Sequence, residues 1–149
     1  MVDFVRTRPA GVALVRAIPQ GGGNLQSVLQ IVTDDMPFLV DSVSSCTIRQ
    51  GGSVHLMVHP QLVVRRDESG ALIEVVDVPI HEAPQEPGVL VESWMHLQID
   101  RESDAADRDA LARELREVLA DVRASVEDWG LLTAKALELA DDLHSHVPA

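Results

Sequence analysis

The chain has 149 residues, 46% of them hydrophobic, which is enough for one compact domain with a buried core. Its 12 basic and 24 acidic residues give a net charge of −12, which disfavours nucleic acid and anionic membrane surfaces as partners. Its one cysteine excludes an internal disulfide, and no apolar run reaches the ~20 residues of a membrane-spanning helix, so a soluble, cytoplasmic protein is predicted.

The first two-thirds of the chain show the alternation of polar and apolar residues that is typical of half-buried β-strands. This alternation predicts strands over residues 11–18, 25–32, 53–58 and 90–100. The glycine-rich stretch GGGN at 21–24 is predicted to be the turn between the first two strands. An extra hairpin is predicted over 61–66 and 71–78, around the turn sequence DESG.

Two stretches repeat apolar residues at helical spacing and are predicted to pack on the sheet. The first covers residues 36–47 and has Gly51 at a natural C-terminal cap position. The second covers residues 104–127, and either Ser103 or Asp104 can cap its start. The order of elements predicts an α+β sandwich, in which these two helices cover one face of a mostly antiparallel sheet.

A last apolar stripe runs from Leu132 to Leu143, after a Trp-Gly pair. It predicts a further helix that leads out of the domain. The predicted organisation is therefore an N-terminal extension at 1–10, a domain at 11–128, and a C-terminal helix and tail at 129–149.

The stretch TDDMPFLVDS at 33–42 brings three carboxylates next to a Met-Pro pair. Because the residue before a proline avoids the helical conformation, Pro37 is predicted to begin the helix. Three roles stay open for the acids. They can stabilise the helix start by their charge, they can act as acid–base catalysts through Asp34 and Asp41, or they can bind an amino acid. In the last case Asp34 or Asp35 meets the ammonium, and the helix amides meet the carboxylate. The ligand-binding candidates are Asp34, Asp35, Met36, Pro37, Phe38 and Leu39.

A second candidate surface lies on the sheet face opposite the helices. Trp94 and His96 are predicted to project from this semi-polar face of their strand, and His55 and Met57 are predicted to share it. A large aromatic side chain there indicates contact with another domain or subunit, unless the hairpin at 61–78 folds over it. The interface candidates are therefore Trp94, His96, His55 and Met57.

Metal and phosphate sites are not predicted. His55 and His59 are four residues apart, but on a strand this spacing separates them by ~13 Å. They cannot share a zinc ion, since each nitrogen must come within ~2.1 Å of the metal. The glycine cluster at 21–23 precedes a strand and lacks the lysine of a phosphate-binding loop. Cys46 lies on the apolar stripe of the first helix and is interpreted as a core residue.

Four stretches of the chain together resemble a known family. They are QIVTDDMPFLVDSV, GGSVHLMVHPQLVVRRDESGALIEV, ESWMHLQIDRESD and LREVLADVRASVEDW. In this order they are similar to the N-terminal region of the large NAD-dependent glutamate dehydrogenases of bacteria, from about residue 11 to about residue 140. The resemblance implies that the chain corresponds to part of a much longer enzyme whose catalytic domain lies further on.

The resemblance also implies an ACT-like, ferredoxin-like fold, in which the last strand of the sheet lies beside the first. Since no strand is predicted after residues 104–127, the strand at 11–18 is predicted to take that place. ACT domains that bind amino acids typically carry a D-x-P-G loop. Here Asp35, Met36 and Pro37 match that loop, and Phe38 stands where glycine would let a ligand approach the backbone.

The resemblance implies a non-catalytic regulatory or assembly domain in amino-acid metabolism. The parent enzyme converts glutamate to 2-oxoglutarate with NAD, whereas no cofactor is expected here, where Lys135 is the single lysine. The expected partners are other domains of the parent chain, a second copy of this domain, and an amino-acid effector. The alternative is a purely structural interaction module without a ligand, which docks through the face that carries Trp94.

Overall fold

The computed structural model of the protein describes residues 2–21, 26–100 and 104–146. The predicted turn at 21–24 and the alternative helix cap Ser103 therefore lie partly or wholly outside the described residues. In chain order the elements are α1 (Val2–Val5), β1 (Leu14–Pro19), β2 (Gln26–Asp34), α2 (Leu39–Arg49), β3 (Ser53–Val58), β4 (Gln61–Arg66), β5 (Leu72–Val76), a 3-10 turn (Ile80–Glu82), β6 (Val89–Asp100) and α3 (Ala105–His146).

The strands form one antiparallel sheet in the order β1-β2-β6-β4-β5. The long strand β6 pairs with β2 along one edge, and with β4 and then β3 along the other. β1 lies antiparallel to β2, with Leu14 opposite Val32 and Pro19 opposite Ser27. The prediction that the strand at 11–18 takes the place beside the first strand is confirmed. The predicted extra hairpin is the pair β4 and β5.

α2 and α3 lie on the same face of the sheet and enclose the hydrophobic core. Strand residues that alternate toward the helices meet one apolar stripe from each helix, as the period-two and helical patterns require. The buried core consists of Val15, Leu29, Ile31, Leu39, Val43, Cys46, Met95, Leu97, Ile99, Leu111, Ala112, Leu115 and Leu119. The predicted α+β, ACT-like sandwich is confirmed, and Cys46 is the core residue that its position in the stripe indicated.

The predicted caps at the start of α3 and at the end of α2 are both present. The Asp104 carboxylate accepts a hydrogen bond of 2.8 Å from the backbone N–H of Asp107, which satisfies a free donor at the start of α3. Gly51 follows α2 with φ of 82°, and its N–H donates to the Ile48 carbonyl at 2.9 Å. Glycine suits this left-handed position because it has no Cβ.

α3 is one continuous helix of 42 residues, about 63 Å long at 1.5 Å per residue. The separate helix predicted after the Trp-Gly pair was therefore wrong, since Gly130 lies inside α3. One interior glycine costs only about 1 kcal/mol relative to alanine, and the leucines and alanines that follow it favour the helix. None of the helices in the described part of the chain is long and apolar enough to cross a bilayer.

A β-bulge in β3 changes which face its later residues occupy. The register against β6 shifts between Val54 and Leu56, so Met57 comes to lie opposite Leu97 and packs against the hydrophobic core. The prediction that Met57 shares the open face with Trp94 was wrong. An extra residue in one strand reverses the alternation beyond it, and the period-two pattern gives no sign of this.

The N-terminal segment is tied to the outer hairpin of the sheet. The Arg8 N–H donates to the Gly70 carbonyl at 2.9 Å, and the Leu72 N–H donates to the Arg6 carbonyl at 2.8 Å. Thr7 and Ala71 form an antiparallel bridge between these bonds. Gly70 has φ of 85°, and a Cβ at this position would lie 2.1 Å from the Arg8 carbonyl oxygen. The segment placed in the N-terminal extension thus packs closely on the domain.

Candidate functional site

The loop between β2 and α2 contains the predicted ligand-binding residues. β2 ends at Asp34, Pro37 and Phe38 form a turn, and α2 begins at Leu39. The prediction that Pro37 begins the helix was wrong by two residues, because Phe38 takes a left-handed conformation with φ of 71°. This is the conformation that glycine adopts most readily, so Phe38 keeps the backbone shape expected for the glycine of a D-x-P-G loop.

Phe38 combines two unfavourable features. A left-handed backbone costs a residue with a Cβ roughly 1–2 kcal/mol, and its apolar side chain is 68% exposed. Residues held in such conformations concentrate at binding and switch sites. By contrast, Leu39 is buried and Met36 packs against the core, so these two candidates mainly anchor the loop.

Asp34 joins the N-terminal segment to α3. Its Oδ1 accepts a hydrogen bond of 2.5 Å from Arg8 Nη2, and its Oδ2 accepts one of 2.5 Å from Arg123 Nη1. Burial by itself would raise the pKa of Asp34, but the hydrogen bonds and positive charges of Arg123 and Arg8 outweigh it and hold the pKa below the ordinary value. Asp34 therefore stays ionised at neutral pH.

Asp35 is held on the opposite side of the strand. Its Oδ1 accepts hydrogen bonds from Ser93 Oγ at 2.7 Å and Gln61 Nε2 at 2.9 Å, and its Oδ2 lies 2.9 Å from the same amide nitrogen. The structure thus places the two acids apart and gives each its own fixed partners. The predicted meeting of a ligand ammonium with Asp34 or Asp35 would have to displace these hydrogen bonds.

A buried ion-pair network lies behind Asp34, on the sheet face opposite the helices. The side chains of Arg8 and Glu92 are both 0% exposed, and that of Arg66 is 3% exposed. Glu92 Oε1 accepts from Arg8 Nε at 2.9 Å and from Arg66 Nε at 2.6 Å, while Oε2 accepts from Arg66 Nη2 at 3.1 Å and from the Trp94 indole at 2.9 Å. Every oxygen of the buried carboxylate is therefore satisfied.

The network also holds the pKa of Glu92 below its ordinary value. Burial opposes this, but the hydrogen bonds from Arg66 and Trp94 and the charges of Arg8 and Arg66 outweigh it. Arg66 donates further to the carbonyl oxygens of Val5 at 3.1 Å and Gly70 at 2.9 Å. The network thus fixes the N-terminal segment against the sheet.

Three cavities border the loop and α3. A cavity of about 180 Å³ is lined by Met36, Thr33, Arg116, Arg123 and neighbouring residues. A groove of about 540 Å³ runs between α2 and α3 and includes Asp41, which is thereby separated from the network around Asp34. A more apolar pocket of about 460 Å³ is lined by Pro37, Phe38, Ser125, Val126 and Trp129.

The candidate interface residues lie on the open face with one exception. Trp94 and His96 are half-buried there, and His55 Nε2 lies 3.1 Å from the carboxylate of Asp100. The predicted hairpin does not fold over Trp94, because β4 and β5 extend the sheet beside β6. Met57 is the exception, since the bulge turns it toward the core.

Sequence reasoning missed the residues that form the network: Arg8, Arg66, Glu92 and Arg123. A signal for part of it was present, because Glu92 is an acidic residue inside a mostly apolar strand. Such residues are buried only when paired. Among the described residues, no three histidine, cysteine or acidic side chains lie close enough together to hold a metal ion.

An antiparallel sheet with α2 and α3 on one face, and an Asp-Met-Pro turn that ends in a left-handed residue before α2, define an ACT-like domain. The family model described as "Glutamate dehydrogenase, ACT1 domain" matches residues 1–115, and the chain belongs to this family. The match includes the N-terminal segment that carries Arg8.

Three relatives show the same affiliation, and each is an NAD-specific glutamate dehydrogenase. The protein from Pseudomonas aeruginosa is 37% identical over 119 residues, that from Halomonas elongata 32% over 129, and that from Mycobacterium tuberculosis 34% over 148. These alignments cover 80%, 87% and 95% of this chain, but only 7%, 8% and 8% of the relatives. The chain therefore spans less than a tenth of the length of these relatives.

Proposed function

We propose that the chain is a non-catalytic regulatory and assembly domain of an NAD-dependent glutamate dehydrogenase, which converts glutamate to 2-oxoglutarate. The hydrogen bonds that Asp34 accepts are the observation that supports a non-catalytic role. A carboxylate whose pKa is lowered has no proton to donate at neutral pH, and the two oxygens of Asp34 are engaged by Arg8 and Arg123 and are not free to take a proton from a substrate. Membership of the glutamate dehydrogenase ACT1 family supports the regulatory part.

The isolated chain tests the non-catalytic assignment. With glutamate and NAD it is expected to produce no NADH, and titration with NAD is expected to give no binding heat. A circular dichroism spectrum with the helix content of α2 and α3 is the control for folding. Measurable turnover by the folded chain would overturn the proposal.

The effector of the regulatory domain is proposed to be an amino acid bound in the cavity beside the loop. Arg116 and Arg123 line this cavity together with Thr33 and Met36. A guanidinium group recognises a carboxylate through charge and directed hydrogen bonds, so the ligand carboxylate is assigned to Arg116. Arg123 links the cavity to Asp34 and gives the bound ligand a path to the N-terminal segment.

A thermal-shift screen against the twenty amino acids tests this effector role. A ligand that binds the folded state must raise the melting temperature. At a concentration of one hundred times its Kd it increases the free energy of unfolding by about 2.7 kcal/mol. Ala120 is exposed and lines the cavity, so Ala120→Phe is expected to abolish the shift. Ala124→Phe, one turn further along the exposed side of α3, is the matched control and is expected to leave it intact.

The alternative function is a structural interaction module without a ligand. The half-buried Trp94 and His96 on the helix-free face of the sheet favour it. It predicts no thermal shift with any amino acid, together with a dimer whose formation depends on concentration. Val58 is exposed opposite His96, so Val58→Asp would weaken that dimer without touching the core.

A further inference from the structure

The second half of α3 extends beyond the domain core. The last buried residue of this helix is Leu119, and every residue from 127 to 146 is exposed. Most helical stability in proteins comes from packing of an apolar face, and this stretch of α3 packs on nothing in the part of the domain that the structure describes. An exposed helix with a continuous apolar stripe is therefore typical of an element that packs against a partner.

The exposed half of α3 carries such a stripe in a coiled-coil pattern. Its members are spaced by three, four, three and four residues, and we call them the α3 seam: Trp129, Leu132, Ala136, Leu139 and Leu143. Trp129 is 72% exposed, and each leucine of the seam is more than half exposed. Residues at this spacing form the a and d positions of a heptad, which insert between the side chains of a second helix.

The seam begins at an apolar pocket of the domain. Trp129 lines the pocket of about 460 Å³ together with Pro37, Phe38 and Val126. A helix bound along the seam could place a bulky apolar side chain in this pocket. The exposed, left-handed Phe38 would then be covered by the partner.

The charges beside the seam determine which partner fits. Asp128, Lys135 and Asp142 each precede an a position and therefore occupy g positions, where interhelical ion pairs form. From residue 128 to 146, four acidic residues accompany this single lysine. We propose that the α3 seam binds one amphipathic helix of a partner protein or domain. That helix carries basic residues opposite Asp128 and Asp142, and an acidic residue opposite Lys135.

A second copy of this chain fits the seam less well. In an antiparallel pair of two copies, Asp128 would face Asp142, and Lys135 would face the same lysine of the other copy, so every pair has like charges. In a parallel pair the g positions would face Thr133 and Ala140, which offer no charge. The net charge of −12 on each copy adds a general repulsion.

A synthetic peptide of about three heptads provides the test. It carries leucine at its a and d positions, with lysine, glutamate and lysine opposite Asp128, Lys135 and Asp142. A second peptide has these three charges reversed. The fluorescence anisotropy of each labelled peptide is measured with the full 149-residue chain. The matched peptide is expected to bind about tenfold more tightly, and the difference is expected to shrink in high salt.

Two variants on α3 complete the experiment. Leu139→Ser lies in the seam and is expected to weaken binding of the matched peptide at least tenfold. Leu137→Ser removes a leucine that is 66% exposed but outside the seam, and is expected to change binding less than twofold. Circular dichroism of both variants checks that α3 is retained. Equal binding of the two peptides, equal loss in the two variants, or sedimentation as a dimer held by the seam would each overturn the proposal.

Discussion

The buried carboxylate of Glu92 offers the sharpest test of how this fold is held together. Glu92→Gln keeps the size of the side chain but removes its charge, which leaves the guanidinium group of Arg66 buried without a counter-ion and that of Arg8 paired with Asp34 alone. Breaking a buried pair in this way costs about 3–5 kcal/mol, because the remaining charge is neither paired nor hydrated. The side chains of Glu92 and Arg8 are both fully buried, so this range applies here.

The loss of stability expected for Glu92→Gln can be compared with the loss for the same substitution at an exposed glutamate of this protein. Glu74 and Glu86 both pair with Arg65 on the surface, and Glu74 is about half exposed. Glu74→Gln is expected to cost at most about 1 kcal/mol, since exposed ion pairs contribute little.

Urea unfolding at pH 7, followed by far-UV circular dichroism, gives both free energies. A loss for Glu92→Gln within 1 kcal/mol of that for Glu74→Gln would refute the reasoning, because Glu92 would then not be the counter-ion of the buried arginines.

Three further predictions concern pH, the N-terminal segment and α3. The folded pKa values of Asp34 and Glu92 are lowered, so their contribution to stability is complete above the unfolded values near pH ~4 and is lost as the pH falls through the folded values. Urea titrations from pH 6 downward should show this decline, less steeply in Glu92→Gln; an equal slope in the two proteins would contradict it. Gly70→Ala places a Cβ 2.1 Å from the Arg8 carbonyl oxygen at a left-handed φ, and is expected to cost more than about 1 kcal/mol in urea unfolding. In Gly130→Ala the new Cβ would have no atom within 4 Å, and alanine favours the helix over glycine by up to ~1 kcal/mol. Amide hydrogen exchange in the second half of α3 is therefore expected to be slower in this variant.

The sheet and the core were predictable from the sequence because they rest on local periodicity. The alternation over 90–100 indicated β6 and its two faces, and the stripe over 36–47 indicated α2 and its buried side. The position of β1 was predicted for another reason. The resemblance to ACT domains implied a strand beside β2, and since no strand was predicted after 104–127, the segment at 11–18 was assigned to that place.

The remaining features depend on contacts that local patterns do not contain. Arg8 and Glu92 are separated by 84 positions, so their pairing cannot be inferred from spacing. The bulge in β3 shifts its register against β6 and moved Met57 from the open face to the core. The start of α2 was misplaced because the rule for residues around proline does not foresee a left-handed phenylalanine at position 38.

The pairing of β1 with β2 changes how the chain can fold. Pro19 and Ser27, which face each other at one end of this ladder, are eight positions apart. A strand that followed α3 would have to reach the same place from beyond residue 146, across more than a hundred residues. Since loop-closure entropy grows as 1.5 RT ln n, the hairpin saves about 2 kcal/mol of closing cost and forms this edge early. The chain after β6 then does not have to return to the sheet, so a helix as long as α3 can extend away from it.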